Sequence, residues 1–147
     1  MPFGLEGCQR LPRTQLSGAG TVGCVPELIT VPTRIPVPGG KVIEEHVGEV
    51  NTPQPGLQAS VSVAHMKAPG GWSEPYQTPE FDEITLVLAG QVLVDHDGGT
   101  VEVNAGQSVI THGGERIRYS CGPDGAEYVA VCLPAFRPDT VHREDES

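Results

Sequence analysis

The sequence is poor in the features that membrane spans, nucleic-acid surfaces and helices require. No apolar run approaches the ~20 residues of a membrane-spanning helix. Nine Lys and Arg stand against nineteen Asp and Glu, a formal net charge of −10. A surface that negative repels phosphate backbones and anionic lipids, which argues against nucleic-acid and membrane partners. No long window carries a good 3.6-residue apolar period, so little helix is expected. There is no glycine-rich nucleotide loop, no Ser-His-Asp order and no redox motif. The start, MPFGLEGCQRLPRTQ, lacks the charged-then-apolar order of a secretory signal, and the cytosol is the expected compartment. The four cysteines, Cys8, Cys24, Cys121 and Cys132, match no zinc spacing. If a hairpin turns at Pro123-Asp124, Tyr119 faces Tyr128, and Cys121 and Cys132 lie several residues out of register. That separation is too long for a cross-strand bridge. All four are therefore read as free thiols, in keeping with a reducing compartment.

What the chain does have is punctuation. Nineteen glycines and fourteen prolines break it into short apolar runs, which points to an all-β fold. At 147 residues it is long enough for one domain with a real core. Strands are expected at Ala59–Lys67, Glu83–Leu88, Gln91–His96, Thr100–Val103, Ser108–Thr111, Arg116–Ser120 and Ala126–Leu133. Glycine turns separate them, as in a sandwich or barrel. Residues 1–55 form a proline-rich arm, with extended pieces at Glu27–Val31 and Lys41–Val47, packing on the barrel or on a partner subunit. Residues 56–136 form the barrel. The charged tail, 137–147, is expected to fray beyond His142.

Alternation assigns faces. Glu83, Thr85 and Val87 share one side of a strand, and Ile84, Leu86 and Leu88 the other. A two-residue turn at Ala89-Gly90 would set Val87 against Val92, Thr85 against Val94 and Glu83 against His96. The interior row is then Val92, Val94 and His96. The apolar exterior row needs a cover, either the arm or a second copy in a homodimer.

The stretch Ala68–Gly90, APGGWSEPYQTPEFDEITLVLAG, resembles the first motif of metal-binding cupins. That motif runs glycine, five residues, H-x-H, three or four residues, glutamate, six residues, glycine. Glu83 and Gly90 fit its end. Counting back four residues sets Tyr76 and Thr78 where the two histidines would stand. Gly106-Gln107 and the run His112 to Ile117 are similar to the second motif, with Ile117 in the place of the last metal histidine. The YDE-like block Phe81-Asp82-Glu83 and the run Leu133-Pro134-Ala135-Phe136 resemble the ethanolamine-utilisation cupins, which also depart from the metal triad. The resemblance covers about residues 59–135. It implies a single jelly-roll β-barrel with an N-terminal extended arm, and says little about activity.

An isoleucine and a threonine are poor substitutes for histidine, so no metal site and no cofactor are expected. The leading expectation is a small-molecule enzyme, an isomerase, cyclase or lyase, working by acid/base chemistry in the barrel. Glu83 would carry the proton, Tyr76 donate a hydrogen bond, and His96 act as a second proton carrier. Thr78, Ile117, Tyr119 and Tyr128 would shape the pocket, with Trp72 at its entrance and His65 as a further contact. One alternative keeps a divalent metal through Glu83, His96 and His65, with Tyr76 as a further donor. Another is a non-catalytic binding or scaffold barrel.

Overall fold

The computed structural model describes residues 26–51 and 60–145. Cys8, Cys24 and the start of the first barrel strand lie outside them. Among the described residues there is no helix, and hence none long and apolar enough to cross a membrane. Seven antiparallel strands form one sheet: β1 (Thr33–Ile35), β2 (Val42–Val47), β3 (Ser62–Ala68), β4 (Asp82–His96), β5 (Gly99–Asn104), β6 (Ser108–Thr111) and β7 (Arg118–Leu133). Their spatial order is β1-β2-β3-β7-β4-β5, with β6 also on β4.

Two long strands organise the sheet. On one edge, β4 pairs with β7 along nearly its whole length. Its other edge is shared, with Glu83–Leu86 on β6 and Gln91–His96 on β5. The edge of β7 away from β4 is shared too: Ala126–Cys132 pairs with β3, and Ile117 and Ser120 bridge to Gln77 and Ser73. The sheet thereby curls around an interior of alternating side chains. Val87, Val92, Val94, Val103, Ile117, Tyr119 and Tyr128 belong to its main core cluster.

The expected turn at Ala89-Gly90 is absent. The chain passes straight through it as one strand, with pairing shifts on both sides of Gly90. Gly90 takes φ 74°, and a Cβ there would strike the Gly125 carbonyl. Both a tight turn and a bulge exchange the inward face between Val87 and Val92, so alternation alone does not separate them. The consequence is large, because Glu83 lies against Cys132 and Thr111. His96 is thirteen residues further along the same strand, up to roughly 40 Å away at strand rise. The expected hairpin at Pro123-Asp124 is likewise a bulged crossing within β7: Cys121 pairs with Val92 and Ala126 with Gly90. Cys121 and Cys132 are free and buried.

The arm and tail also differ from expectation. No strand forms at Glu27–Val31. The expected piece at Lys41–Val47 does form, as Val42–Val47; it and Thr33–Ile35 extend the sheet at the β3 edge. They leave the exterior row uncovered, with Leu86 44% and Leu88 48% exposed. The tail does not fray at His142. It folds back along 76–80, where Thr78 N donates to His142 O and Glu144 N to Tyr76 O. Val141 is buried in a small cluster with Phe81, Cys132 and Phe136.

Candidate active site

Inside the curl lies a cavity of about 510 Å³. Each wall follows from strand alternation. The inward residues of β2 and its approach are Lys41, Ile43 and Glu45; those of β3 are Ser62, Ala64 and Met66. Tyr119, Tyr128, Ala130 and Cys132 come from β7, and Phe136, Val141 and Arg143 close the tail side. A recess of about 290 Å³ adjoins it and shares Lys41, Glu74 and Arg143.

Glu83 faces this cavity from β4. Thr85 Oγ1 donates to its Oε1 at 3.4 Å, and Cys132 Sγ stands 3.7 Å from Oε2. No cation is bonded to it among the described residues. Burial pushes its carboxyl up to about 7, and the nearby Glu74 pushes the same way. Lys41 and the two weak donors hold it back. Burial also raises Glu74, against the pull of Lys41 and Arg143, whose Nη2 is 3.8 Å away. Burial lowers the Lys41 amine, offset by the fields of Glu74 and Glu83. It drives Tyr119, Tyr128 and Cys132 far up, and Glu83 adds to each, so all three stay protonated at neutral pH. The Tyr119 hydroxyl is 2.7 Å from Thr111 Oγ1. The site is thus a carboxyl poised near neutrality among neutral donors, one enclosed amine and the facing pair Glu74 and Arg143.

Of the residues singled out in the sequence, Glu83, Tyr119 and Tyr128 line the cavity. Ile117 is inward but belongs to the packed core, and Trp72 walls the recess instead. Tyr76 and Thr78 do not reach the cavity. The bridges Ser73↔Ser120 and Gln77↔Ile117 set four steps of one segment against three of the other. One extra residue reverses the face. Tyr76 therefore turns outward, its ring 3.8 Å and 4.7 Å from the Arg116 and Arg118 guanidinium carbons. Those arginines are fixed in turn by Glu144 and Asp95.

The same shift selects the shorter spacing of the motif. Gln77 and Pro79, not Tyr76 and Thr78, are the buried positions ahead of Glu83. The metal positions of the frame then carry Gln77, Pro79, Glu83 and Ile117. Only two of these have side-chain donor atoms, whereas a divalent metal takes three or four. These residues do not fit a metal.

The alternative ligand set is not brought together either. His96 is exposed at the β4–β5 turn, where its Nδ1 accepts from Gly98 N. His65 points to the outer face of β3 and bonds Glu127 at 2.8 Å. Among the described residues no group of three or more His, Cys, Asp or Glu is placed to hold a metal ion.

Sequence reasoning missed Lys41, Gln77 and Arg143. Lys41 shares its parity with Ile43 and Glu45, so an inward Ile43 would have carried it into the site. No comparable signal existed for Arg143, which enters only because the tail folds back.

Comparison with known proteins agrees with this architecture. Residues 72–137 match the family model of the ethanolamine utilisation protein EutQ. Over 111 residues, 75% of this chain, the sequence is 44% identical to the Myxococcus xanthus (strain DK1622) protein named endoribonuclease YbeY. The chain spans about a third of the length of that relative, 36%. The structure of the Clostridium difficile EutQ protein superimposes with TM-score 0.52 at 21% identity, covering 67% of this chain and 72% of that one. The polyketide cyclase RemF of Streptomyces resistomycificus superimposes with TM-score 0.63 at 20% identity, covering 85% and 88%. At such identities the likeness to the solved structures is one of fold. Curled antiparallel sheet, motif frame and family match converge: the chain belongs to the cupin superfamily, with an EutQ-type stretch at residues 72–137.

Proposed function

We propose that the chain is a small-molecule enzyme that moves protons inside the barrel, as an isomerase, cyclase or lyase. One observation carries this reading: a cavity-facing carboxyl, Glu83, held at about 7 within about 510 Å³. A cavity of that size suits a small organic ligand. Near neutrality Glu83 is divided between acid and base forms, so it can take a proton from one atom of a substrate and return it to another. The neutral phenols of Tyr119 and Tyr128 offer hydrogen bonds to an oxygen that gains charge. The apolar walls from Ile43, Phe81, Ala130 and Val141 hold the substrate and exclude water.

The fold also serves a polyketide cyclase, RemF, which is in keeping with this class of chemistry. A scaffold role would suit a collapsed barrel better than one hollow beside Glu83. The Myxococcus relative bears an endoribonuclease name, but a net charge of −10 repels a phosphate backbone and favours a small-molecule substrate. The free thiols of Cys121 and Cys132 are in keeping with the cytosol.

The test is to screen neutral cyclic and polyketide-like compounds for turnover, then replace Glu83 with Gln. A folded variant should lose at least 100-fold in kcat. Undiminished turnover would overturn the role of Glu83.

A further inference from the structure

The chain contains two lysines, Lys41 and Lys67. Lys67 is exposed on β3. Lys41 stands just before β2, in the wall that the cavity and the recess share, so both openings lead to it. Its Nζ lies 3.9 Å from the Trp72 ring centroid and 5.4 Å from that of Tyr128. Among the described residues no carboxylate comes within ion-pair distance of it. Glu74 faces Arg143, and Glu83 receives Thr85 and Cys132. Among the described residues nothing bonded to Nζ consumes its donors or fixes it as a structural ion pair.

An enclosed amine between aromatic walls can serve as a point charge for an anion or as a nucleophile. The neighbouring side chains favour the second. Glu74 and Glu83 act on the Lys41 charge more strongly than Arg143 opposes them, so an anion held at Nζ would meet surroundings dominated by two carboxyls. A neutral carbonyl compound meets no such repulsion, and the cavity is largely apolar elsewhere.

We propose that Lys41 is a nucleophilic amine that forms an imine with an aldehyde or ketone held in the cavity. This rests on the cavity being the working site, and names the substrate class it takes. The Nζ lone pair attacks the carbonyl carbon, the C=O π pair moves to oxygen, and a proton passes from nitrogen to that oxygen to give a carbinolamine. The nitrogen lone pair then forms the C=N bond as the C–O bond breaks with its electron pair, the oxygen takes a second proton from Glu83 and leaves as water, and the remaining N–H proton returns to Glu83. The overall change is amine plus carbonyl to imine plus water, with no oxidant or reductant. Glu83, held at about 7 and so partly in the acid form at neutral pH, supplies the proton that water carries away. Burial also biases the amine toward the free base that such an attack needs.

Reductive trapping tests this with the unaltered chain. Folded protein at pH 7 is treated with propanal or with benzaldehyde in the presence of cyanoborohydride, digested, and the two lysines compared by mass spectrometry. Lys41 should be alkylated at least tenfold faster than Lys67 with one or both aldehydes, and urea unfolding should abolish the preference. Labelling driven by exposure would instead favour Lys67. Equal or preferential labelling of Lys67 with both aldehydes overturns the proposal, as does a Lys41 preference that survives unfolding. The outcome is independent of the Glu83→Gln turnover test. An unlabelled Lys41 leaves the proton role of Glu83 standing, and undiminished turnover of the Gln variant leaves the trapping result standing.

Discussion

Replacing Glu83 with Gln should change how stability depends on pH, whatever the substrate. The carboxyl has an ordinary value of 4.5 and is held at about 7 in the folded chain. At 1.36 kcal/mol per unit, that rise of about 2.5 units corresponds to about 3 kcal/mol. The sign follows from proton binding. Between pH 4.5 and 7 the folded chain keeps a proton that the unfolded chain releases, so folding stability falls as pH rises through that window. Below 4.5 both states are protonated and nothing is lost; above about 7 the loss is complete. Gln cannot ionise, yet its carbonyl oxygen can still accept from Thr85 or Cys132. The stability difference between variant and parent should therefore be near zero at pH 4. It should grow across the window and reach about 3 kcal/mol in favour of Gln at pH 8. Glu74 and Asp95 titrate in both chains, so much of their contribution cancels in the difference. Urea unfolding followed through the single tryptophan, Trp72, at pH 4 to 9 measures it. A difference that stays flat with pH would refute the raised pKa, and with it the main physical support for proton transfer by Glu83.

Further outcomes follow from the same geometry. Lys41→Met removes a charge that lowers the Glu83 pKa, so a carboxyl NMR titration should place Glu83 above the parent's value of about 7. His96→Ala should leave turnover unchanged and stability within about 0.5 kcal/mol, because His96 is exposed and far along β4; a kcat loss would return it to the site. Val141→Ala should cost about 2 kcal/mol in urea melts, since the tail valine is 5% exposed and packs with Phe81 and Phe136. Leu86 and Ile110, 44% and 57% exposed on the outer face, are expected to meet a second copy; Leu86→Glu with Ile110→Glu should convert a dimer to monomer in analytical ultracentrifugation.

Much of the fold was legible because strand periodicity and turn residues are local. The strand Ser108–Thr111 forms as expected, and the inward rows Glu83–Thr85–Val87 and Val92–Val94 hold in the structure. The errors arose where one residue changes a face. An extra step between Ser73 and Gln77 moved Tyr76 out, and a bulge at Gly90 in place of a turn removed His96 from Glu83. Neither is visible in alternation, because a bulge and a turn swap parity in the same way.

The sequence by itself determined an all-β chain, its acidic surface, the cupin frame and the inward aspect of Glu83, since each depends on residue type and short-range spacing. Only the tertiary structure decided which groups stand around that carboxyl. Lys41 arrives from an arm forty residues upstream, Glu74 through a local slip in register, and Arg143 from a tail that folds back. Their meeting depends on long-range pairing, and the raised pKa of Glu83 depends on the burial that pairing creates.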